Sequence, residues 1–116
     1  MHLPISHRQF QLVADARARE WLASHPTARQ RVIAYDIDRC CGGGKICQVQ
    51  VRELSRKDDF VSFASGVLED GTVILIDRRA AARLPSRFGL TVRGIGRLKH
   101  IDLDLKSEEW GTLLYD

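Results

Sequence analysis

Phe10, Ala14, Ala18, Trp21 and Leu22 recur at the spacing of a helix with one apolar face. Ser6 followed three residues later by Gln9 reads as a capping box, and Ile5 with Phe10 as the hydrophobic staple beside it, so the helix is predicted to start at about His7. Ser24-His25-Pro26 ends it, because proline disfavours helical geometry in the residue before it. From Arg31 to Ile37 the run is β-branched and aromatic, which predicts a strand. Beyond a glycine run, Cys47, Val49 and Val51 alternate with Gln48, Gln50 and Arg52. That period of two puts Cys47 on the face of the two valines, toward the core.

The polar stretch Ser55 to Asp59 predicts a turn, and Phe60 to Ala64 a further strand. Glu69-Asp70-Gly71 is a hairpin-type turn into the apolar strand Thr72 to Ile76. Asp77 is suited to cap a short helix over Arg78 to Leu84, which Pro85 closes. Two β-like stretches follow, Leu90 to Ile95 and His100 to Leu105, joined through Gly96 to Lys99. Helices do not alternate regularly with strands, so the pattern is α+β. The simplest packing is a compact mixed sheet or squashed barrel, with the N-terminal helix and the second short helix on one side.

The chain has 116 residues, of which 44% are apolar, enough for one ordinary core, so residues 1–116 are expected to form a single domain. The net charge of +3 comes from basic residues scattered from Arg8 to Lys106. A nucleic-acid footprint would be clustered, so nucleic acid is not an expected partner. No apolar run approaches the ~18 residues needed to span a bilayer, and the first residues lack an export signal, so a cytoplasmic protein without a membrane partner is expected.

Those features leave the cysteines as the main clue to chemistry. All three fall in Arg39-Cys40-Cys41-Gly42-Gly43-Gly44-Lys45-Ile46-Cys47. Three cysteines cannot all pair within one chain, which favours reduced thiols in a reducing compartment. The glycines give the segment backbone conformations closed to residues with a β-carbon. Two readings follow. Cys40, Cys41 and Cys47 are soft ligands suited to iron, an iron–sulfur cluster or zinc. Adjacent cysteines diverge on most backbones, so a complete site would borrow ligands from a second subunit, giving a homodimer. Alternatively, Arg39 and Lys45 favour the thiolate form, and the Cys40-Cys41 pair acts in thiol–disulfide chemistry with a redox partner, or as a redox sensor. For Cys47 alone, a small buried hydrophobe is the simpler account.

Other motifs carry less. Gly42-Gly43-Gly44-Lys45 lacks the spacing of a phosphate loop and the helix that should follow it. His100, Asp102 and Asp104 share one strand face and could hold a hard metal, but the solvated face of an edge strand explains them more simply.

The order of elements and several local words resemble the HesB-like family, which includes the IscA-type carriers of iron–sulfur cluster assembly. There an N-terminal helix leads to a strand and a loop of the Gly-Cys-x-Gly type, matched here by Arg39-Cys40-Cys41-Gly42-Gly43. The family's acidic-Gly turn, apolar strand, Asp and short helix look like Glu69 to Asp77 followed by Ala80 to Leu84, and its next strand like Leu90 to Ile95. The adjacent cysteines are similar to a branch with a Cys-Cys or Cys-selenocysteine motif. The resemblance implies a HesB-like fold and a binding or carrier role rather than that of a conventional enzyme. It also implies an iron–sulfur cluster or iron held at Cys40, Cys41, Gly42 and Gly43, and a cluster-assembly partner. The family's C-terminal Cys-x-Cys has no counterpart after Leu105, so only its loop ligand carries over, onto Cys40 or Cys41.

Overall fold

Among the described residues, the first regular element is a strand. In the computed structural model, which describes residues 9–39, 45–60 and 62–115, β1 (Gln9–Ala14) precedes the helix α1 (Ala16–Ser24). The predicted helix start at His7 is therefore corrected. Phe10 and Ala14 are four apart, a spacing that keeps one face in a strand as well as in a helix. Leu12 decides between them: Phe10, Leu12 and Ala14 are buried while Gln9 and Gln11 are exposed. The helix is capped instead by Asp15, whose carboxylate accepts from the Ala18 amide at 2.8 Å. Its other oxygen accepts from the Thr91 hydroxyl at 2.6 Å, which ties the start of α1 to the sheet and holds the Asp15 carboxyl below its usual range. Ile5, Ser6 and His7 lie outside the described residues.

β2 (Arg31–Arg39) and β3 (Lys45–Glu53) form a long antiparallel hairpin. A 3-10 turn (Arg56–Phe60) follows, and β4 is Phe63–Val67 rather than Phe60 to Ala64. Asp58 sets this boundary: its carboxylate takes the Ser55 amide at 2.8 Å and the Ser55 hydroxyl at 2.9 Å, which closes the turn. The acidic-Gly turn is as expected, with Gly71 at φ 90 and the Leu68 amide donating to the Thr72 carbonyl at 2.9 Å. β5 (Val73–Asp77) runs into α2 (Arg78–Ala81), capped by Asp77 as predicted, and then come β6 (Arg87–Arg93) and β7 (His100–Asp104). A third helix, α3 (Ser107–Tyr115), was not predicted. The Glu109 carboxylate accepts from the Lys106 amide at 2.9 Å, the return bond of a capping box, and Leu113 is fully buried beneath it.

The strands make one sheet in the order β3-β2-β5-β4-β1-β6-β7. β1 is parallel to β4 and β6, and β2 to β5; the remaining neighbours are antiparallel. The outer strands β3 and β7 come together, so the sheet is nearly closed and the fold is a mixed α+β one. Phe10, Leu12, Ile33, Ile74, Ile76 and Leu90 fill its interior. The strand directions place α1 with the β4–β5 and β6–β7 turns at one end, and the β2–β3 connection with α2 and α3 at the other. The helices thus occupy both ends of the sheet and not one side of it. No helix of the described residues is long and apolar enough to cross a membrane.

Candidate functional site

The cysteines belong to the β2–β3 hairpin. Its ladder runs without a break from Arg31↔Glu53 to Arg39↔Lys45, so residues 40–44 connect two strand ends that face each other. Cys40, Cys41, Gly42 and Gly43 themselves lie outside the described residues. Of Cys47, only the backbone position is described: it stands opposite Ile37, at the strand parity of Val49 and Val51. Arg39 and Lys45 form the last rung, so the two positions that flank the cysteine segment face each other across the backbone ladder.

Among the described residues, β2 pairs with β5 only at Val32 and Ile33. From Ala34 to Arg39 it pairs with β3 alone, a two-stranded arm of about 20 Å at the usual strand rise. An isolated two-stranded ribbon is marginal in water, so its base needs other support. Tyr35 provides this on the inner face, where it is only 4% exposed. The Arg83 guanidinium donates to the Tyr35 hydroxyl at 2.6 Å and to the Leu113 carbonyl at 3.3 Å, which joins the arm to α3. The Arg79 guanidinium donates to the Tyr35 carbonyl at 2.8 Å, satisfying a backbone group that lies past the β2–β5 pairing. Both guanidinium carbons are 5.5 Å from the centre of the Tyr35 ring. Arg79 is held in turn by Asp77, at 3.1 and 2.8 Å.

The outer face of the hairpin is held by charge. Arg52 reaches Asp58 of the 3-10 turn with two bonds of 2.6 and 2.9 Å, and Asp36 of β2 at 3.4 Å. The Arg52 guanidinium and the Ser55 donors hold the Asp58 carboxyl well below the usual carboxylate range. Arg52 is raised above its already high value, mainly by Asp58. Val32 and Ala34, at the strand parity of Asp36 and with Val32 opposite Arg52, are buried although that parity points them away from the interior. A polar cleft of about 760 Å³ opens beside it, with Asp36, Gln48, Gln50 and Lys57 in its walls.

Other candidates are accounted for separately. Asp102 pairs with Arg93 at 3.0 Å, and the His100 ring lies 2.8 Å from the Leu98 carbonyl, so these two β7 residues are engaged individually. Among the described residues, no group of three or more His, Cys, Asp and Glu is placed to hold a metal. A cavity of about 280 Å³ between α1 and the β4–β5 turn contains Arg19, Arg31, Leu22 and Leu68. It is at the small end for a ligand pocket. Its arginines already donate to backbone, Arg19 to Ala14 and Arg31 to His25.

The supports of the arm were not recognised from the sequence. Their only trace there is Arg79 and Arg83, four apart next to the predicted helix cap, a spacing that also suits a solvated face. No protein-family model matches the chain, and neither a curated protein nor a solved structure matches it significantly.

Proposed function

We propose that this is a metal- or iron–sulfur-associated thiol protein of the HesB-like type, acting through Cys40 and Cys41 at the end of the β2–β3 arm. The observation that carries this reading is the concentration of every cysteine of the chain on one hairpin whose base is anchored to two helices. The order of elements around it also supports the reading. A helix, a strand, the Cys-Cys-Gly-Gly segment, an acidic-Gly turn, an apolar strand, an Asp cap, a short helix and a further strand follow one another as in that family. Thiolates suit iron and its clusters, and the glycines leave room for a bulky group beside them. Three cysteines are one short of the usual four-thiolate set of a cluster. A second copy of the chain, or a cluster-assembly partner, would supply the remainder. The role is binding or transfer, in a reducing compartment such as the cytoplasm.

Anaerobic reconstitution with iron and sulfide, read by absorption spectra and metal analysis, tests this. Wild type should take up iron and show thiolate-to-iron charge-transfer bands, and Cys40→Ser with Cys41→Ser should abolish both. If wild type takes up no iron, or if the double variant retains it, the reading fails.

The Arg39–Lys45 rung supports a second reading, since two adjacent cations favour thiolate at the residues between them. In it, the Cys40 and Cys41 thiols are oxidised to a disulfide. They lose two electrons and two protons to the disulfide of a redox partner, which is reduced to two thiols. Thiol trapping and mass spectrometry after equilibration with oxidised glutathione should then reveal a Cys40-Cys41 or Cys41-Cys47 link, or a mixed disulfide. Fully reduced cysteines under those conditions exclude it.

A further inference from the structure

At the end of the sheet opposite the cysteine arm, the β6–β7 connection exposes two large apolar side chains, Ile95 at 87% and Leu98 at 77%. Scattered single apolar residues on a surface need no explanation. These two share one tightly built turn. Gly94 and Gly96 adopt φ of 91 and 59, and residues 96–98 form a 3-10 turn. The Leu98 amide donates to the Ile95 carbonyl at 3.1 Å, and the Lys99 amide to Gly96 at 3.3 Å. The shape depends on glycine, because a β-carbon on Gly94 would stand 2.2 Å from the Leu98 carbonyl oxygen. The turn is also convex, since a β-carbon on Gly96 would meet nothing within 4 Å. Its backbone geometry therefore holds Ile95 and Leu98 out in solvent, where they contribute nothing to the core.

The charge of the turn itself has one sign. The segment Arg93-Gly94-Ile95-Gly96-Arg97-Leu98-Lys99-His100 contains no acid. Arg93 is engaged by Asp102, but Arg97 and Lys99 have no ion-pair partner among the described residues. Two apolar side chains on a convex turn, with free cations beside them, match a surface that is anionic outside and apolar just beneath. We propose that the Ile95–Leu98 turn docks this protein reversibly on an anionic phospholipid surface. Ile95 and Leu98 enter the headgroup–acyl boundary, and Arg97 and Lys99 lie against the phosphates. A lipid surface needs no concave counterpart, which favours it over a protein partner for a turn of this shape. The expectation of no membrane partner rested on spanning length, which a surface contact does not require. The inference is independent of the thiol reading, because the turn and the cysteine arm are at opposite ends of the sheet.

Co-sedimentation with vesicles tests the proposal, comparing phosphatidylcholine alone with phosphatidylcholine carrying about one-third phosphatidylserine. The full chain should bind the anionic vesicles, bind the neutral ones far less, and be released by raised salt. Ile95→Ser with Leu98→Ser should weaken partitioning at least about tenfold, and Lys99→Ala about fivefold. Unchanged thermal melting of the variants would show that the fold persists. Absence of binding to anionic vesicles at low salt overturns the proposal, as does equal binding by the double variant. It is also overturned if the turn instead mediates a concentration-dependent dimer that the double variant dissolves while vesicle binding is absent.

Discussion

The β2–β3 and β6–β7 hairpins leave the sheet at opposite ends, and their bases are held in different ways. The first extends from Ala34 to Arg39 with β3 as its only strand neighbour among the described residues, and it is held by Arg79 of α2, by Arg83 just after that helix and by Asp58 of the 3-10 turn. The second is short, and backbone bonds within its own turn shape it, at the cost of two glycines with positive φ. One is therefore sensitive to side chains far away in sequence, such as Arg83, which is 48 residues from Tyr35. The other is sensitive to the local backbone. A long arm can be aimed only by contacts made across the fold, whereas a tight turn carries its geometry in its own residues.

That contrast is broken most severely at Tyr35. Tyr35→Ala removes a buried ring and takes from the Arg83 guanidinium the nearer of its two acceptors, so a loss of about 3–5 kcal/mol is expected in denaturant unfolding. Hydrogen exchange should rise at Asp36 to Arg39 more than in β6 and β7. Equal acceleration in both hairpins would refute a specific role in anchoring the arm. Gly94→Ala should cost about 2–3 kcal/mol, because the new β-carbon meets the Leu98 carbonyl at a φ of 91. Here exchange should rise in the β6–β7 turn, with the arm unaffected.

A smaller effect, about 1–2 kcal/mol, is expected for Asp58→Asn, which keeps the shape of the side chain and removes its charge beside Arg52. The sign of its pH dependence follows from the lowered Asp58 carboxyl. A group depressed in the folded state stabilises fully above its unfolded value of about 3.9, and that contribution is lost as pH falls through the folded value. The stability gap between wild type and Asp58→Asn should thus be constant near neutrality and shrink below about pH 4. A gap that widens in acid would contradict the assignment. The smallest change belongs to Ile95→Ser with Leu98→Ser, which should stay within about 0.5 kcal/mol per site because neither side chain is packed.

The elements legible in the sequence were those with a local cause. The strand entering the cysteine segment, the Glu69-Asp70-Gly71 turn, the Asp77 cap and the half-buried final strand were each found within a residue or two of their positions. The sequence pattern misplaces the start of the first helix because Phe10 and Ala14 satisfy both periods, and only Leu12 between them marks a strand. The sequence hides α3, although Trp110, Leu113 and Leu114 share helical spacing, because Gly111 weakens its helix propensity and its cap is a lysine amide held by Glu109, a bond that residue types do not announce. At the candidate site, the cysteine cluster was legible at once because it is contiguous. Its supports were hidden, since Tyr35, Arg79, Arg83 and the Leu113 carbonyl meet only when the sheet is assembled.

By itself, the sequence determined that the chain mixes strands and helices, that its cysteines are confined to residues 40–47, and where the glycine-dependent turns fall. Each of these follows from neighbours along the chain: a period of two, a cap, a missing β-carbon. Only the tertiary structure decided that the sheet nearly closes on itself, and that the cysteine hairpin projects beyond its β5 neighbour with Tyr35 held by Arg79 and Arg83. It alone decided, too, that Ile95 and Leu98 stand in solvent at the far end. Strand order and edge-to-edge approach depend on which surfaces are buried together, and this is settled by the packing of distant segments into one core.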